Sequence, residues 1–243
     1  MQSQEESKIL STPHHSLSAV QKYLFKPFIG SSHRWAFDQA ASINRNTAVL
    51  DIGCGSSDVG NGLKEMGFLN ISAVEVDAEA KEKAKSVYKN VVGSLSELSS
   101  QKFGFILLLD VVEHLSNPEE FLRTVTGLLE KDGILLISVP NVAHWSVRIP
   151  LLFGFFNYTD RAILDKTHLQ FFTRARFKKL LSNEPRLDLI KMGATIEPAE
   201  FVLPKVIWNN PLFEIASKLR LAVAHLLPGL MAYQHVAVLK CSD

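Results

Sequence analysis

At 243 residues, with 47% hydrophobic and 21% charged positions, the chain has the size and composition of one globular domain with additions, able to bury its core without disulfides. A formal net charge of +1 lacks the basic excess of a nucleic-acid surface, so no nucleic-acid partner is expected. Two cysteines, Cys54 and Cys241, give neither a metal-ligand spacing nor a disulfide framework, and no run reaches the ~18 apolar residues of a membrane span, so a cytoplasmic, reducing setting is expected.

The first ten residues are polar and charged, without the apolar segment of a signal peptide, and residues 1–14 read as a mobile tail. Apolar spacing predicts helices over 16–28 (Val20, Leu24) and 32–43 (Trp35, Phe37, Ala40, Ala41). His33, Arg34 and Trp35 stand shortly before the first strand; the indole either caps a ligand pocket or belongs to the core.

Residues 48–60 organise the rest. Ala48, Val49 and Leu50 form a buried-strand run that ends in a glycine turn, and a helix follows over 59–66. Gly53 and Gly55 let the backbone bend sharply and let a ligand touch the main chain. The N–H groups that follow, at a helix start, can bind an anion. The dinucleotide fingerprint G-x-G-x-x-G needs a third glycine where this chain has Asp58. Asp51 adds a second acid two residues before Gly53, so the turn suits a ligand with positive charge better than one presenting two phosphates. S-adenosylmethionine, with an ammonium, a carboxylate and a sulfonium, is such a ligand.

A second strand over 71–76 carries Glu75 where an open α/β nucleotide site places the carboxylate for ribose hydroxyls. Asp77 then caps a helix running to Tyr88, and Val91 and Val92 make a very short third strand. The apolar run 103–109 is a central strand buried on both faces, and it delivers Asp110 to the ligand end of the sheet. Asn117 and Pro118, with Glu119 and Glu120, start a helix to about Glu130; the turn 131–133 leads to a fifth strand, 134–139, closed by Pro140 and Asn141. This alternation is the mark of a doubly wound parallel sheet.

The run Val49-Leu50-Asp51-Ile52-Gly53-Cys54-Gly55 with Glu75 resembles the cofactor site of class I S-adenosylmethionine-dependent methyltransferases, well over residues 33–180 and loosely beyond. The resemblance implies a single domain over 15–243 with a seven-stranded Rossmann-like sheet and helical lid insertions. Within it, 15–45 supplies N-terminal helices, 46–141 the cofactor-binding core, 142–180 a lid and acceptor segment, and 204–231 a helical insertion. Strand-like runs at 187–196 and 233–241 would form an antiparallel hairpin at the sheet edge. The implied cofactor contacts are Asp51, Gly53, Cys54 and Gly55 for the methionine part, Glu75 and Val76 for the ribose, and Ser94, Leu95 and Asp110. Ser94 stands where relatives usually carry an acid facing the adenine amino group.

Asp165-Lys166-Thr167-His168-Leu169-Gln170-Phe171-Phe172-Thr173 resembles a segment of bacterial methyltransferases associated with sugar and cell-surface glycan pathways. A hydroxyl acceptor must lose a proton, most often to a His or a carboxylate. His168 is therefore read as that base or as a residue that pins the lid, with His114 and Asp110 as the other catalytic candidates. Asn141, Arg148, Tyr158 and Asp165 are candidate acceptor contacts; for Asn141 the alternative is an Asx turn, and for Arg148 a surface ion pair. No metal site is expected from the His and Cys spacings. The expected activity is O-methylation of a small-molecule hydroxyl on a sugar, a glycoconjugate or a biosynthetic intermediate. One alternative is a lipid or quinone-like acceptor at a membrane surface, suggested by apolar residues 149–156 and the amphipathic stretch 211–227, which could equally cover the sheet edge. Another is a non-catalytic protein that keeps the cofactor fold.

Overall fold

Strands β1 (Val49–Ile52), β2 (Ile71–Val74), β3 (Asn90–Val92), β4 (Phe103–Leu109), β5 (Leu129–Pro140), β6 (Leu187–Ala194) and β7 (Gln234–Cys241) form one sheet in the computed structural model, which describes residues 28–201 and 203–242. Their order is β3-β2-β1-β4-β5-β7-β6. The first five pair in parallel, and β7 runs antiparallel to both β5 and β6. The helices are α1 (Ser32–Ala40), α2 (Asp58–Glu65), α3 (Ala78–Ala84), α4 (Pro118–Gly127), α5 (Trp145–Leu152), α6 (Arg174–Ser182), α7 (Lys205–Trp208), α8 (Pro211–Leu226) and α9 (Pro228–Met231). The α/β doubly wound reading of the sequence thus holds. The expected tail 1–14 and nearly all of the expected helix 16–28 lie outside the described residues.

Side-chain alternation along the strands divides the core into two layers. Leu50, Ile52, Ile106 and Leu108 pack on one face with Leu122, Phe177 and Leu180. Val49, Phe105 and Leu107 pack on the other with Ala36, Leu63 and Phe68. Both faces of β1 and β4 are covered, which is why their sequences are nearly continuous apolar runs. The chain winds outward from β1 to β3 and then crosses back to β4, so the direction of winding reverses between β1 and β4. Ligands of such sheets bind at the carboxyl ends of the strands beside that reversal.

Several element boundaries differ from the expected ones for identifiable reasons. Helix α1 stops at Ala40 because Arg45 Nη1 donates to the carbonyls of Ala40 and Ile43, at 2.8 and 2.6 Å. Helix α3 ends at Ala84, four residues before Tyr88, which turns inward and is buried. Helix α4 ends at Gly127, and Leu129 already pairs with Phe103 as the start of β5. The expected turn 131–133 is an irregularity inside β5, with Asp132 at φ +62°. Within the expected lid 142–180, Phe177 and Leu180 of α6 are core residues, while Ala175, Arg176, Lys178 and Lys179 on the other face of that helix are exposed. The hairpin forms, but β7 lies between β5 and β6 and leaves β6 at the edge.

The 204–231 insertion folds as α7, α8 and α9. Only Ser217 and Ala224 of α8 are buried, whereas Leu212, Leu219 and Leu226 are 78%, 65% and 79% exposed. Among the described residues no helix is long and apolar enough to cross a membrane.

Candidate functional site

The turn after β1 is built as its sequence requires. Gly53 has φ +73° and Gly55 φ +48°, where a side chain is disfavoured. A Cβ on Gly53 would stand 2.6 Å from Val111 Cγ2, just past β4, so the two sides of the winding reversal touch through this glycine. Ser57, also left-handed at φ +65°, starts α2.

Glu75, at the end of β2, is buried and reaches across to the turn. Its Oε2 accepts from Gly55 N at 2.7 Å, and its Oε1 accepts from the N–H groups of Val76 and Asp77 at 2.8 and 2.9 Å. Charge-assisted bonds of this kind are roughly twice as strong as neutral ones and fix the loop after β1 against the end of β2. Asp51 lies beneath. Its Oδ2 accepts from the Tyr88 hydroxyl at 2.5 Å. Burial pushes the Asp51 carboxyl up to about 6, opposed by the Tyr88 hydrogen bond and reinforced by the charge of Glu75. Burial, with the charges of Asp51 and Glu75, also drives the Cys54 thiol far up, so it stays protonated and is no nucleophile.

The structure uses other candidates differently from one another. Val76 is exposed beside Glu75, and Leu95 is buried in the core. Ser94 Oγ caps the short 3-10 turn Leu95–Leu98, accepting from Ser96 N at 3.2 Å, while Glu97 Oε1 accepts from Gly93 N and Ser94 N at 2.9 and 3.0 Å. Ser94 and Glu97 thus close a capping box on this turn. Asp110 adopts φ +57° and accepts from Ser138 Oγ at 2.6 Å and from Gln234 Nε2 at 2.6 and 2.7 Å, tying β4 to β5 and β7.

Asn141 is fully buried. Its amide donates to Ala232 O at 2.8 Å and its Oδ1 accepts from Ala143 N at 3.0 Å, so it makes the Asx turn and clamps the segment after α9 to the end of β5. Arg148 makes no ion pair among the described residues; its Nη2 donates to Gly229 O at 3.3 Å.

The D-K-T-H-L-Q-F-F-T segment is a folded hook. Asp165 Oδ1 accepts from both Thr167 N (2.9 Å) and Thr167 Oγ1 (2.7 Å), and Thr173 caps α6. Leu169 N and Gln170 N donate to Glu113 O at 2.8 and 2.9 Å, and Val142 N donates to Phe172 O at 2.9 Å, so the hook is stitched to the ends of β4 and β5. His168 Nδ1 donates to Ile163 O at 3.0 Å. The His168 ring packs edge-on to His114, centroids 4.8 Å apart, and Phe171, Phe156 and Tyr158 continue the cluster. His114 and His168, distant in sequence, are therefore brought together, and Tyr158 joins them at the rim.

Sequence reasoning missed Tyr88, Gly60, Glu113 and Gln234. Gly60 carried a signal: a glycine inside a helix costs about 1 kcal/mol against alanine and usually has a packing reason. A cavity of about 390 Å³ lined by Phe28, Trp208, Pro211, Phe213 and Ser217 lies on the helical insertion; its lining includes none of the strand-end residues, whose chemistry defines the site better than its volume does.

A family model described as a methyltransferase domain matches residues 27–184. The ubiquinone biosynthesis O-methyltransferase of Rickettsia felis is 30% identical over 101 residues, covering 38% of this chain and 41% of that protein. The protein of the same name from Caulobacter sp. is 26% identical over 149 residues, covering 56% and 58%. The chain therefore matches less than two thirds of the length of these curated relatives. Among solved structures, a SAM-dependent methyltransferase from Archaeoglobus fulgidus superposes with a TM-score of 0.58 at 18% identity, covering 86% of this chain and 94% of that one. Magnesium protoporphyrin IX methyltransferase from Synechocystis, with bound SAH, gives 0.56 at 14% identity, covering 86% and 80%. At these identities the structures establish a shared fold.

Proposed function

This chain belongs to the methyltransferase domain family, and on that premise we propose that it moves a methyl group from S-adenosylmethionine to a hydroxyl of an apolar, quinone-like acceptor. The observation that carries the transfer is Glu75, a buried acid at the end of β2 bonded to the Gly55 N–H of the turn after β1. The residues present fit the cofactor. The glycine turn leaves no room for a Cβ at Gly53, a carboxylate stands at the ribose position, and Asp51 supplies a second acid beneath the turn.

In this reading Asp51 and the Gly53 to Gly55 main chain hold the methionine part, and Glu75 the ribose hydroxyls. When bound, S-adenosylmethionine supplies an electrophilic methyl group on a sulfonium. The protein's own work is to position the acceptor and exclude water. Asp110, pinned by Ser138 and Gln234, fixes the loop that carries Val111 against Gly53. The His114 and His168 cluster stands where the lid meets the end of β4 and provides for loss of the acceptor proton.

The sugar acceptor suggested by the hook motif has less support than an apolar one. The lid presents Phe156, Tyr158 and Phe171, with Leu152 and Phe153 81% and 74% exposed beside them. Both curated relatives described above carry a ubiquinone-pathway name. Exposed lid residues of this kind also favour acceptor capture at a lipid surface. Labelled methyl transfer from S-adenosylmethionine to a short-chain prenylated catechol in vesicles tests both parts. Transfer to the catechol with flotation on anionic vesicles is expected. Transfer to a free hydroxylated sugar alone would overturn the acceptor, and no binding of cofactor or its demethylated product would overturn the reaction.

A further inference from the structure

We propose that His144, Glu197 and Tyr233 form a subsite for a second hydroxyl of the acceptor, one that is bound and not methylated. The proposal rests on the methyl-transfer reading and narrows its acceptor from a single hydroxyl to a catechol.

The three residues come from separate elements that end at one place. β7 enters the sheet at Gln234 opposite Pro140 of β5, and His235 stands opposite Ala194 of β6. The residues just after β5 and β6 and just before β7 therefore share the end of the sheet at which Asp110 leaves β4. Tyr233 is clamped there by its main chain: its N–H donates to Thr195 O and its carbonyl accepts from Asn141 N, both at 2.9 Å. Its neighbour Gln234 donates to both oxygens of Asp110 and accepts from Thr195 Oγ1 at 3.1 Å. Asp110 in turn fixes the loop that holds Val111 against Gly53. The subsite thus stands beside the methyl-transfer centre, and two oxygens so close together are those of vicinal hydroxyls.

The polar atoms of the three side chains match a hydroxyl. Ser146 N donates to His144 Nδ1 at 3.3 Å, so the lone pair of the neutral ring is on Nδ1 and its proton is on Nε2. Burial holds this ring neutral by lowering its pKa, against the opposing charge of Glu197. The Nε2–H is buried without a hydrogen-bond partner, 3.9 Å from Glu197 Oε2, which is beyond hydrogen-bond reach. Arg220 Nη2 holds Glu197 through Oε1 at 3.2 Å and through the main-chain carbonyl at 3.0 Å, which leaves Oε2 toward His144. A polar gap of this length is closed by an oxygen about 2.8 Å from each side, off the line between them. The Tyr233 ring stands edge-on to His144, centroids 5.7 Å apart, and its hydroxyl has no hydrogen-bond partner among the described residues. Burial, with the charges of Asp110 and Glu197, pushes that phenol up to about 12, so it remains a donor. Two donors and one carboxylate acceptor are the complement of a hydroxyl, which accepts twice and donates once.

This complement sets specificity. A carbonyl or a methyl ether at the same place has no proton for Glu197, and a ring without the second oxygen leaves the His144 N–H unpaired. Sites built on buried polar groups reject analogues that cannot pair with them. The His144 side chain is 1% exposed and that of Glu197 34%, so the subsite is entered past the Glu197 carboxylate.

The test is calorimetric titration of the chain, with and without S-adenosylhomocysteine, with a catechol, its monomethyl ether and the corresponding phenol. Wild type, Glu197→Gln and Tyr233→Phe are compared, with folding checked by circular dichroism. Glu197→Gln leaves its amide oxygen to Arg220 and turns its NH₂ toward the His144 N–H, donor against donor. Wild type is expected to prefer the catechol to both analogues by about tenfold or more, and each variant to lose that preference. Equal affinity of wild type for the three compounds, no binding of the catechol, or a preference that either variant retains overturns the subsite. S-adenosylhomocysteine binding without a catechol preference removes the subsite alone. A catechol preference in a chain that binds no S-adenosylhomocysteine leaves the subsite standing and removes methyl transfer.

Discussion

The Tyr88 hydroxyl donates to Oδ2 of Asp51 at 2.5 Å, with both side chains buried under the glycine turn. Tyr88 is therefore part of the cradle although it lies one helix beyond the second strand. Its hydrogen bond favours the ionised carboxylate, while burial and Glu75 oppose it and leave Asp51 at about 6.

A ligand carrying an ammonium prefers Asp51 ionised, so binding releases a proton below that value. Affinity for S-adenosylhomocysteine is expected to rise about tenfold per pH unit below pH 6 and to level off above it. Tyr88→Phe removes the favourable hydrogen bond and moves the bend to higher pH. Calorimetry between pH 5 and 7 in two buffers of different ionisation enthalpy reads both effects. A flat profile with no proton release would mean that Asp51 does not meet the ligand's charge.

Glu75 has two duties, because three N–H groups bond to the carboxylate proposed to receive the ribose. Glu75→Gln keeps the length and one acceptor oxygen, so it separates them better than Glu75→Ala. We expect Glu75→Gln to weaken nucleoside binding more than tenfold, about 1.4 kcal/mol, with a small loss of thermal stability. Equal binding by wild type and variant would place the ribose elsewhere.

Gly60 makes room for Tyr88. A Cβ there would stand 2.3 to 2.7 Å from the phenol ring and its oxygen. Gly60→Ala, favourable by helix propensity alone, is expected to destabilise the chain by about 1–3 kcal/mol through overpacking and to weaken nucleoside binding. Urea unfolding and the same titration check this. A stabilised variant with intact binding would show that Tyr88 can move without cost.

The backbone of this site was legible because it rests on local rules. A glycine turn after an apolar strand, an acid at the end of the next strand and Asp77 as a helix cap all follow from short-range chemistry, and Asp77 Oδ1 does accept from Ala80 N at 2.8 Å. What stayed hidden was long-range. The dinucleotide fingerprint places its third glycine at position 58, where a pyrophosphate site would need it, whereas Gly60 answers to a ring 28 residues away. Asp110 and Asn141 both end strands, and for Asn141 the sequence leaves an acceptor contact and an Asx turn open. Their partners, Ala232 and Gln234, come from the far end of the chain and no local pattern announces them. Helix α6 is polar and basic on average, and its buried face is defined only once β6 and β7 are beside it.

His235 gives a pH dependence of stability with a definite sign. The ring is buried on β7 against Phe177, and neither nitrogen has a hydrogen-bond partner among the described residues. Burial, aided by the charge of Arg174, lowers its pKa to about 4, against 6.5 in the unfolded chain. Between those values the unfolded state binds more protons, so this contribution is fully present above pH 6.5 and is lost as pH falls toward 4, up to about 3 kcal/mol in all. Asp51 acts in the opposite sense, because its folded value lies above 3.8 and protonation favours the fold as pH falls through 6. These two contributions oppose each other between pH 4 and 6, and His235→Leu removes one of them. Urea midpoints at pH 5 and 7.5 should show the variant gaining on wild type at the lower pH by about 2 kcal/mol relative to the higher. The same difference at both pH values would mean that the folded protein holds this ring at an ordinary pKa.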